Sequence, residues 1–448
     1  MAGALHALHR QGEALICYEA ALAIRPESAE THNNVGNALH DLHRYDEASI
    51  HYLAALAIDP KSVAAHCNLG NVLQELNRFD EAFAQYQQAL RSEPANLRAN
   101  QGLAILLLTR GAVEAAQPYG KIGFQAGIEV RPYRGDGPPL PVVVLDSAIG
   151  GNVRTEDWLD DRTFASTILT EEFVEQQMSL PAHQLLVNGI GDADRCASAL
   201  ALAATLLRKS TARVINQPAA VLATGRVANA KRLGQLPGVV APNIELYPRA
   251  VLAGPEAQGA LAQAGFDWPL LVRSPGYHTG EHFLKVDAPE GLAPAVAKLP
   301  GDELLVLEYV NVYGPDGNVR KYRAMIVDGR LYPLHLAISG RWMVHYQSAD
   351  MAQHPEHRAE DAAFLHDMAG ALGAEVAATL GRIKDTLGLD YGGIDFSLDA
   401  QGRVVLFEAN ATMVVPAPDR DERWAYRREA VETIRAAIRG MLLDRTNC

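Results

Sequence analysis

The chain has 448 residues, which allows about two to four domains, and a hydrophobic fraction of 48%, which is enough for packed cores and argues against disorder. Its net charge of −13 argues against general binding to phosphate backbones or anionic lipid, so neither nucleic acid nor a membrane is expected as a partner. Cys17, Cys67, Cys196 and Cys448 make no CxxC pair and no zinc-type cluster, which suits a reducing compartment. No secretory signal and no apolar span of about twenty residues is read, and the expected location is the cytoplasm.

The first elements repeat. Tyr18, Tyr52 and Tyr86 are 34 positions apart, as are Ala14, Ala48 and Ala82, and Pro26, Pro60 and Pro94; Gly36 and Gly70 share the period. Small Gly and Ala positions let the two helices of a hairpin pack closely, Tyr fills the space between hairpins, and Pro ends the second helix. In "NNVGNALHDLHRYDEA" and "CNLGNVLQELNRFDEA" the pattern resembles the tetratricopeptide repeat, whose period is 34. The first repeat begins inside its own first helix, so the sequence leaves open whether Met1 is the natural start. After Pro94 only Ala116 keeps the register, and the stretch to Gly127 is expected to be a degenerate repeat that caps the stack. The resemblance implies a concave surface for a peptide or protein, and no chemistry.

"VRPYRGDGPPLP", rich in Pro and Gly, reads as a boundary. Beyond it, "PVVVLDSAIGGN" is a buried strand running into a tight turn at Gly150 and Gly151, and "HQLLVNGIGDAD" is a second strand. "ASALALAATLLRKS" is a helix and "ARVINQP" a third strand, so a parallel α/β domain is expected. His183, Asn188 and Asp192 mark a strand end that either contributes to a substrate pocket or is an ordinary capped turn. "WPLLVRSPGYHTGEHFLKVD" reads as two strands around a loop holding Gly276 and Gly280, either a plain hairpin or a flap whose backbone N–H groups cover a phosphate. "DELLVLEYVNVYG" is an apolar strand reaching Glu308, and "VRKYRAMIVDGRLYPLHLAIS" is strand, turn and strand, beginning with Arg320, Lys321 and Arg323. The amphipathic "DERWAYRREAVETIRAAIRGMLL" is expected to pack on the body.

"DYGGIDFSLDAQGRVVLFEAN" reads as two strands joined by a two-residue turn at Gln401 and Gly402. That register sets Leu398 opposite Val405, Ser397 opposite Leu406 and Asp395 opposite Glu408, with Asn410 on the face of Glu408. Like charges so opposed, about 5 Å apart, cost a few tenths to about 1 kcal/mol. A hard divalent cation on these oxygens removes that cost; an ordinary acidic rim is the alternative. Glu408 follows Asp395 by 13 positions and Asn410 follows Glu408 by two. This spacing resembles the D-alanine–D-alanine ligase branch of the ATP-grasp superfamily, to which glutathione synthetase and biotin carboxylase also belong. The resemblance runs over roughly residues 142–441.

The fold class implied is α + α/β: an N-terminal α-helical tetratricopeptide solenoid with capping helices (1–128), a linker (129–141) and a three-lobed ATP-grasp α+β body. Its lobes are expected at 142–245 (N-terminal α/β), 246–312 (central) and 313–448 (C-terminal, with the metal site). "INQPAAVLATGRVANAKRL" resembles the segment of the first nucleotide-binding lysine, here Lys231. Arg273 stands where the second lysine is expected, and keeps its charge with a planar fork for phosphate. Gly276 and Gly280 would close over the phosphates, while Glu308, Tyr309 and Val310 would meet the adenine. Asp395, Glu408 and Asn410 would hold Mg2+, with Mn2+ as the alternative ion. Arg323 sits where the family places an arginine near the phosphates. The next strand lacks a further phosphate-contacting arginine that some members carry; either His335 or Arg341 substitutes for it, or the acceptor chemistry differs.

What the resemblance implies is an ATP- and Mg2+-dependent carboxylate–amine ligase that acts through an acyl phosphate and releases ADP. The repeats would recruit a peptide or protein acceptor, or serve as a homodimer contact. The alternative is an adaptor in which the repeats do the work and the second part binds nucleotide without turnover.

Overall fold

The computed structural model describes residues 11–175, 177–275, 277, 280, 282–344, 349–416 and 421–446. The chain divides into two compact units, Met1–Glu129 with Phe173–Glu175, and Val130–Glu172 with Gln176–Cys448. Among the described residues no helix is long and apolar enough to cross a membrane.

The first unit is a run of helical hairpins: α1 (Gln11–Ile24), α2 (Ala29–Asp41), α3 (Tyr45–Ile58), α4 (Val63–Glu75), α5 (Phe79–Ser92), α6 (Leu97–Thr109) and α7 (Val113–Gly123). The 34-residue period is visible as packing. A Cβ at Gly36 would lie 2.5 Å from the Tyr52 ring, and one at Gly70 would lie 2.6 Å from Tyr86, so only glycine lets each tyrosine seat on the facing helix. Both hydroxyls are satisfied, by Asn37 at 2.8 Å and Asn71 at 2.6 Å. Ala14, Ala48, Ala82 and Ala116 have no exposed surface. The period extends to positions not expected from the sequence. Ser28, Ser62 and Asn96 cap α2, α4 and α6 with their side-chain oxygens. His43, Asn77 and Gly111, again 34 apart, take left-handed backbone at the turns between paired helices. The tyrosine register next falls on Gly120, where the ring of Phe173 fills the space a side chain would need.

The second unit holds three sheets. Strands β1 (Leu140–Asp146), β2 (Phe164–Thr170), β3 (Leu185–Asn188) and β4 (Arg213–Ile215) pair in parallel in the order β2-β1-β3-β4. Val142 to Leu145 is buried throughout, as a parallel strand covered on both faces requires. Helix α8 (Ala197–Leu207) joins β3 to β4, and α9 (Arg226–Leu233) precedes β5 (Val239–Val240). A second sheet is antiparallel: β6 (Ile244–Pro248), β7 (Leu270–Arg273), β8 (Phe283–Val286) and β9 (Glu303–Glu308), in the order β6-β9-β7-β8.

The third sheet comprises β10 (Val319–Val327), β11 (Arg330–Ser339), β12 (Tyr391–Leu398) and β13 (Val404–Asn410), with β5 at its far edge, in the order β11-β10-β12-β13-β5. The β13–β5 pair is parallel and the rest antiparallel, so the segment expected to belong to the first lobe also lends a strand to this sheet. The longer helices α10 (Pro355–His366), α11 (Ala374–Leu387) and α12 (Arg428–Thr446) also belong to the unit; Ile434 and Ile438 of α12 share a core with Val142, Val187, Met325 and Tyr391. Asn216, buried and left-handed at φ 57°, bridges the end of β4 to the start of β12. Its side chain accepts from the N–H groups of Asp390 and Tyr391 and donates to the Tyr391 carbonyl, while its own N–H donates to the Asp390 carboxylate.

The β12–β13 hairpin corrects the expected turn. Asp399 and Arg403 close a three-residue loop with Gly402 left-handed at φ 74°, so Leu398 faces Val404, Ser397 faces Val405 and Phe396 faces Leu406. A β-bulge at Phe407 then takes up one residue, and Asp395 faces Glu408 after all.

Candidate functional site

Asp395 sits between two neighbours in the third sheet, opposite Glu408 on β13 and opposite Arg323 on β10. It has no exposed surface. Arg323 grips it in a fork, Nε to Oδ1 at 2.6 Å and Nη2 to Oδ2 at 2.7 Å, and Lys321 adds Nζ to Oδ2 at 2.7 Å. Lys321 and Arg323 are two apart on one strand and so share a face. Burial pushes the Asp395 carboxyl up, but Arg323 and Lys321 outweigh it and hold the group well below the usual carboxylate range. The like-charge cost read from the sequence is therefore not left standing in the bare chain, because side-chain cations offset it.

Glu408 is held separately. Arg226, the first residue of α9, donates Nη2 to Glu408 Oε1 at 2.7 Å, and Asn410 donates Nδ2 to the same oxygen at 2.9 Å. Oε2 takes no hydrogen bond from a described residue. Helix α9 is pinned in place: the Arg226 N–H donates to both oxygens of Asp194 at 3.0 Å, and Asn229 Nδ2 donates to the Ala409 carbonyl at 2.8 Å. A cleft opens here, lined by Asp192, Asp194, Thr224, Arg226, Glu408 and Asn410 among others. Arg273 faces the same charges. Its Nε is buried with no hydrogen-bond partner among the described residues, its fork reaches the Tyr277 carbonyl, and its guanidinium lies 5.3 Å from the Phe283 ring centre. Burial and the nearby Arg226 push it down to about 10, against the pull of Glu408, Asp192 and Asp194.

The remaining expected residues are placed as follows. Lys231 is exposed at the end of α9, 3.7 Å from Glu245, and does not line the cleft. Five positions on a helix turn a side chain well away from the first, so α9 delivers Arg226 or Lys231 to Glu408 but not both. Gly276 lies outside the described residues. Gly280 is left-handed at φ 84°, with Met343 against it. Glu308 ends β9, where its N–H donates to the Asn243 carbonyl and its carboxylate accepts from the Asn243 N–H. Tyr309 lies under Lys285, whose Nζ is 4.4 Å from the ring centre, and Val310 follows, half-buried. His335 is opposite Arg323, and burial beside that guanidinium keeps its imidazole neutral. Arg341 is exposed beyond β11, its N–H on the Ser339 hydroxyl. His183 bonds Ser210 and Asn188 bonds the Asn216 carbonyl, whereas Asp192 lines the cleft.

Four residues of the site were not singled out from the sequence: Arg226, Lys321, Asn229 and Asp194. Lys321 carried a signal, the two-residue spacing to Arg323. Arg226 and Asn229 carried none, since their partners lie 182 and 180 positions away.

The donor set suits a hard cation that arrives with an anion. The Asp395 and Glu408 carboxylates face each other, Glu408 and Asn410 line the cleft with Arg226, and a cation here would need the Asn410 carboxamide to turn, since its Oδ1 accepts from the Thr412 N–H and hydroxyl. Reaching Asp395 requires Lys321, 20% exposed, to give up its contact.

Residues 27–92 and 67–121 match descriptions of the tetratricopeptide repeat, so the N-terminal helices are repeats of that family. No curated protein matches the chain. Among solved structures, a crystal structure of MamA is 19% identical, covering 28% of this chain and 72% of its own, with a TM-score of 0.27. The TPR domain of Arabidopsis OM64 is 27% identical over 23% of this chain and 87% of its own, with a TM-score of 0.23. Pseudomonas aeruginosa pilF is 22% identical over 28% of this chain and 57% of its own, with a TM-score of 0.27.

Proposed function

We propose that the second unit is an ATP-grasp body and that the protein is an ATP- and Mg2+-dependent carboxylate–amine ligase. The observation that carries this reading is Asp395 facing Glu408, with Asn410 beside them and Arg226 bonded to Glu408. Asp395, Glu408 and Asn410 would hold the metal, which would supply positive charge to offset the negative charge developing on the phosphates. The chain's residues would do the rest. Arg226, Arg273 and Arg323 would hold the phosphates of ATP in line, Lys321 would pass from Asp395 to a phosphate oxygen, and Tyr309 would pack on the base. The substrate carboxylate oxygen attacks the γ-phosphorus and releases ADP. The amine then attacks the acyl carbon, phosphate leaves and the amine loses a proton.

The repeats are proposed to hold a peptide or protein acceptor. A pocket that encloses a free amino acid needs no solenoid, whereas a tethered larger acceptor gains by effective concentration. The free thiols Cys17, Cys67 and Cys196 favour a cytoplasmic setting. A second reading, an adaptor whose body only binds nucleotide, is favoured by the way Arg323 and Lys321 already neutralise Asp395.

The test is thermal unfolding with ATP, with and without Mg2+, followed by ion-exchange separation of product nucleotides over a screen of amino acids and peptides. Stabilisation by ATP only with Mg2+, and ADP as the product, support the ligase. AMP as the main product rules out the acyl-phosphate route, and stabilisation without any turnover favours the adaptor.

A further inference from the structure

Away from the cleft, His354, Glu356 and His357 gather at the start of α10, each offering one ligand atom, all within 4.8 Å of one another. The local sequence builds this cluster. A proline disfavours helical backbone at the residue before it, and His354, preceding Pro355, is extended at φ −113° and ψ 94°. Glu356 and His357 fall in the first helical turn, and the two imidazoles stack 4.6 Å apart at 24°. His354 Nδ1 lies 2.7 Å from Glu356 Oε1. His357 is 7% exposed, and its Nδ1 is buried with no hydrogen-bond partner among the described residues. Buried ring nitrogens without a partner are uncommon and costly. The His354 and Glu356 side chains are 45% and 66% exposed, so an ion has a path in.

We propose that His354, Glu356 and His357 form a site for a transition-metal dication such as Zn2+, separate from the oxygen-rich cleft. The donor set decides the class, because imidazole nitrogens suit Zn2+, Cu2+ or Ni2+ and not Mg2+ or Ca2+. With metal–ligand bonds of about 2.0–2.2 Å, a tetrahedral ion holds its ligands about 3.4 Å apart. The widest pair in the cluster therefore closes by little more than about 1 Å, and the His354–Glu356 pair opens slightly. The positive end of the α10 dipole opposes a cation, and the Glu356 carboxylate in that turn offsets it. Three protein ligands leave a position for water or a ligand oxygen. The competing account is a plain hydrogen bond between His354 and Glu356, with water on His357 Nδ1.

The full-length chain, stripped with chelator and kept in excess Mg2+ to fill oxygen sites, is titrated with Zn2+ by calorimetry and with Co2+ by visible absorption. One Zn2+ per chain, Co2+ bands of a nitrogen-ligated ion, and an affinity loss of at least about tenfold in both His354→Gln and Glu356→Gln support the site. His357→Gln should lose as much, but its position is buried, so the two exposed variants carry the decision if it does not fold. No Zn2+ binding by the parent, or a smaller loss in either exposed variant, overturns the proposal.

Discussion

Asp395 meets two cations without touching water, so its substitution is a test of what balances it. Asp395→Asn leaves Arg323 and Lys321 without a counter-charge, and a loss of about 3 kcal/mol in a urea melt is expected. The pH dependence has a definite sign. A carboxyl held below its unfolded value stabilises the fold above about pH 4, and that contribution drains away as pH falls further. Melts of the parent should therefore weaken below pH 4 more steeply than melts of the variant; parallel curves would remove Asp395 from the account. Arg273 behaves in the opposite way. Its buried, unpaired Nε makes its charge costly in the absence of an anion, so Arg273→Leu should change stability by no more than about 1 kcal/mol while abolishing stabilisation by Mg-ATP. Arg273→Lys should retain part of that stabilisation. An undiminished shift in the leucine variant would place the phosphates elsewhere.

At the scale of elements, one substitution has two signs. Gly70→Ala drives a Cβ to 2.6 Å from Tyr86 and should cost about 1–3 kcal/mol, whereas Gly381→Ala, inside α11 with nothing within 4 Å, should gain up to about 1 kcal/mol. Denaturant midpoints of the two variants check both, and a neutral Gly70→Ala would mean that the tyrosine seat is loose. The repeats were legible because each position recurs, so Gly36 and Tyr52 are read together with Gly70 and Tyr86. The β12–β13 hairpin was legible by a cancellation. A loop one residue longer than expected and a bulge at Phe407 shift the register in opposite directions, so Asp395 still meets Glu408 while Phe396, Ser397 and Leu398 do not meet the expected partners. No pattern of apolar and polar residues marks a bulge. Nor does α9 show which of its cations turns inward, since that depends on a strand far along the chain.

At the scale of the molecule, the second unit is tied by few, long-range polar clasps. Asn216 satisfies β12 from the end of β4, and Asp361 on α10, wholly buried, accepts from the Leu336 N–H, the Tyr426 hydroxyl and Arg427. Asn216→Ala strands several buried groups at once and should cost about 3 kcal/mol, and it should also weaken stabilisation by Mg-ATP, because β12 carries Asp395. Calorimetric melts with and without nucleotide separate the two effects; an unchanged melt would make the clasp redundant.

The wide separation of Arg226 from Glu408 bears on the order in which the protein comes into being. Arg226, Arg273, Lys321 and Arg323 leave the ribosome before either Asp395 or Glu408. Pairs closed across about 180 positions form late and slowly, since a long loop must be ordered first. For that interval Lys321 and Arg323 lack the carboxylate that holds them in the folded chain, while Arg226 already has Asp194.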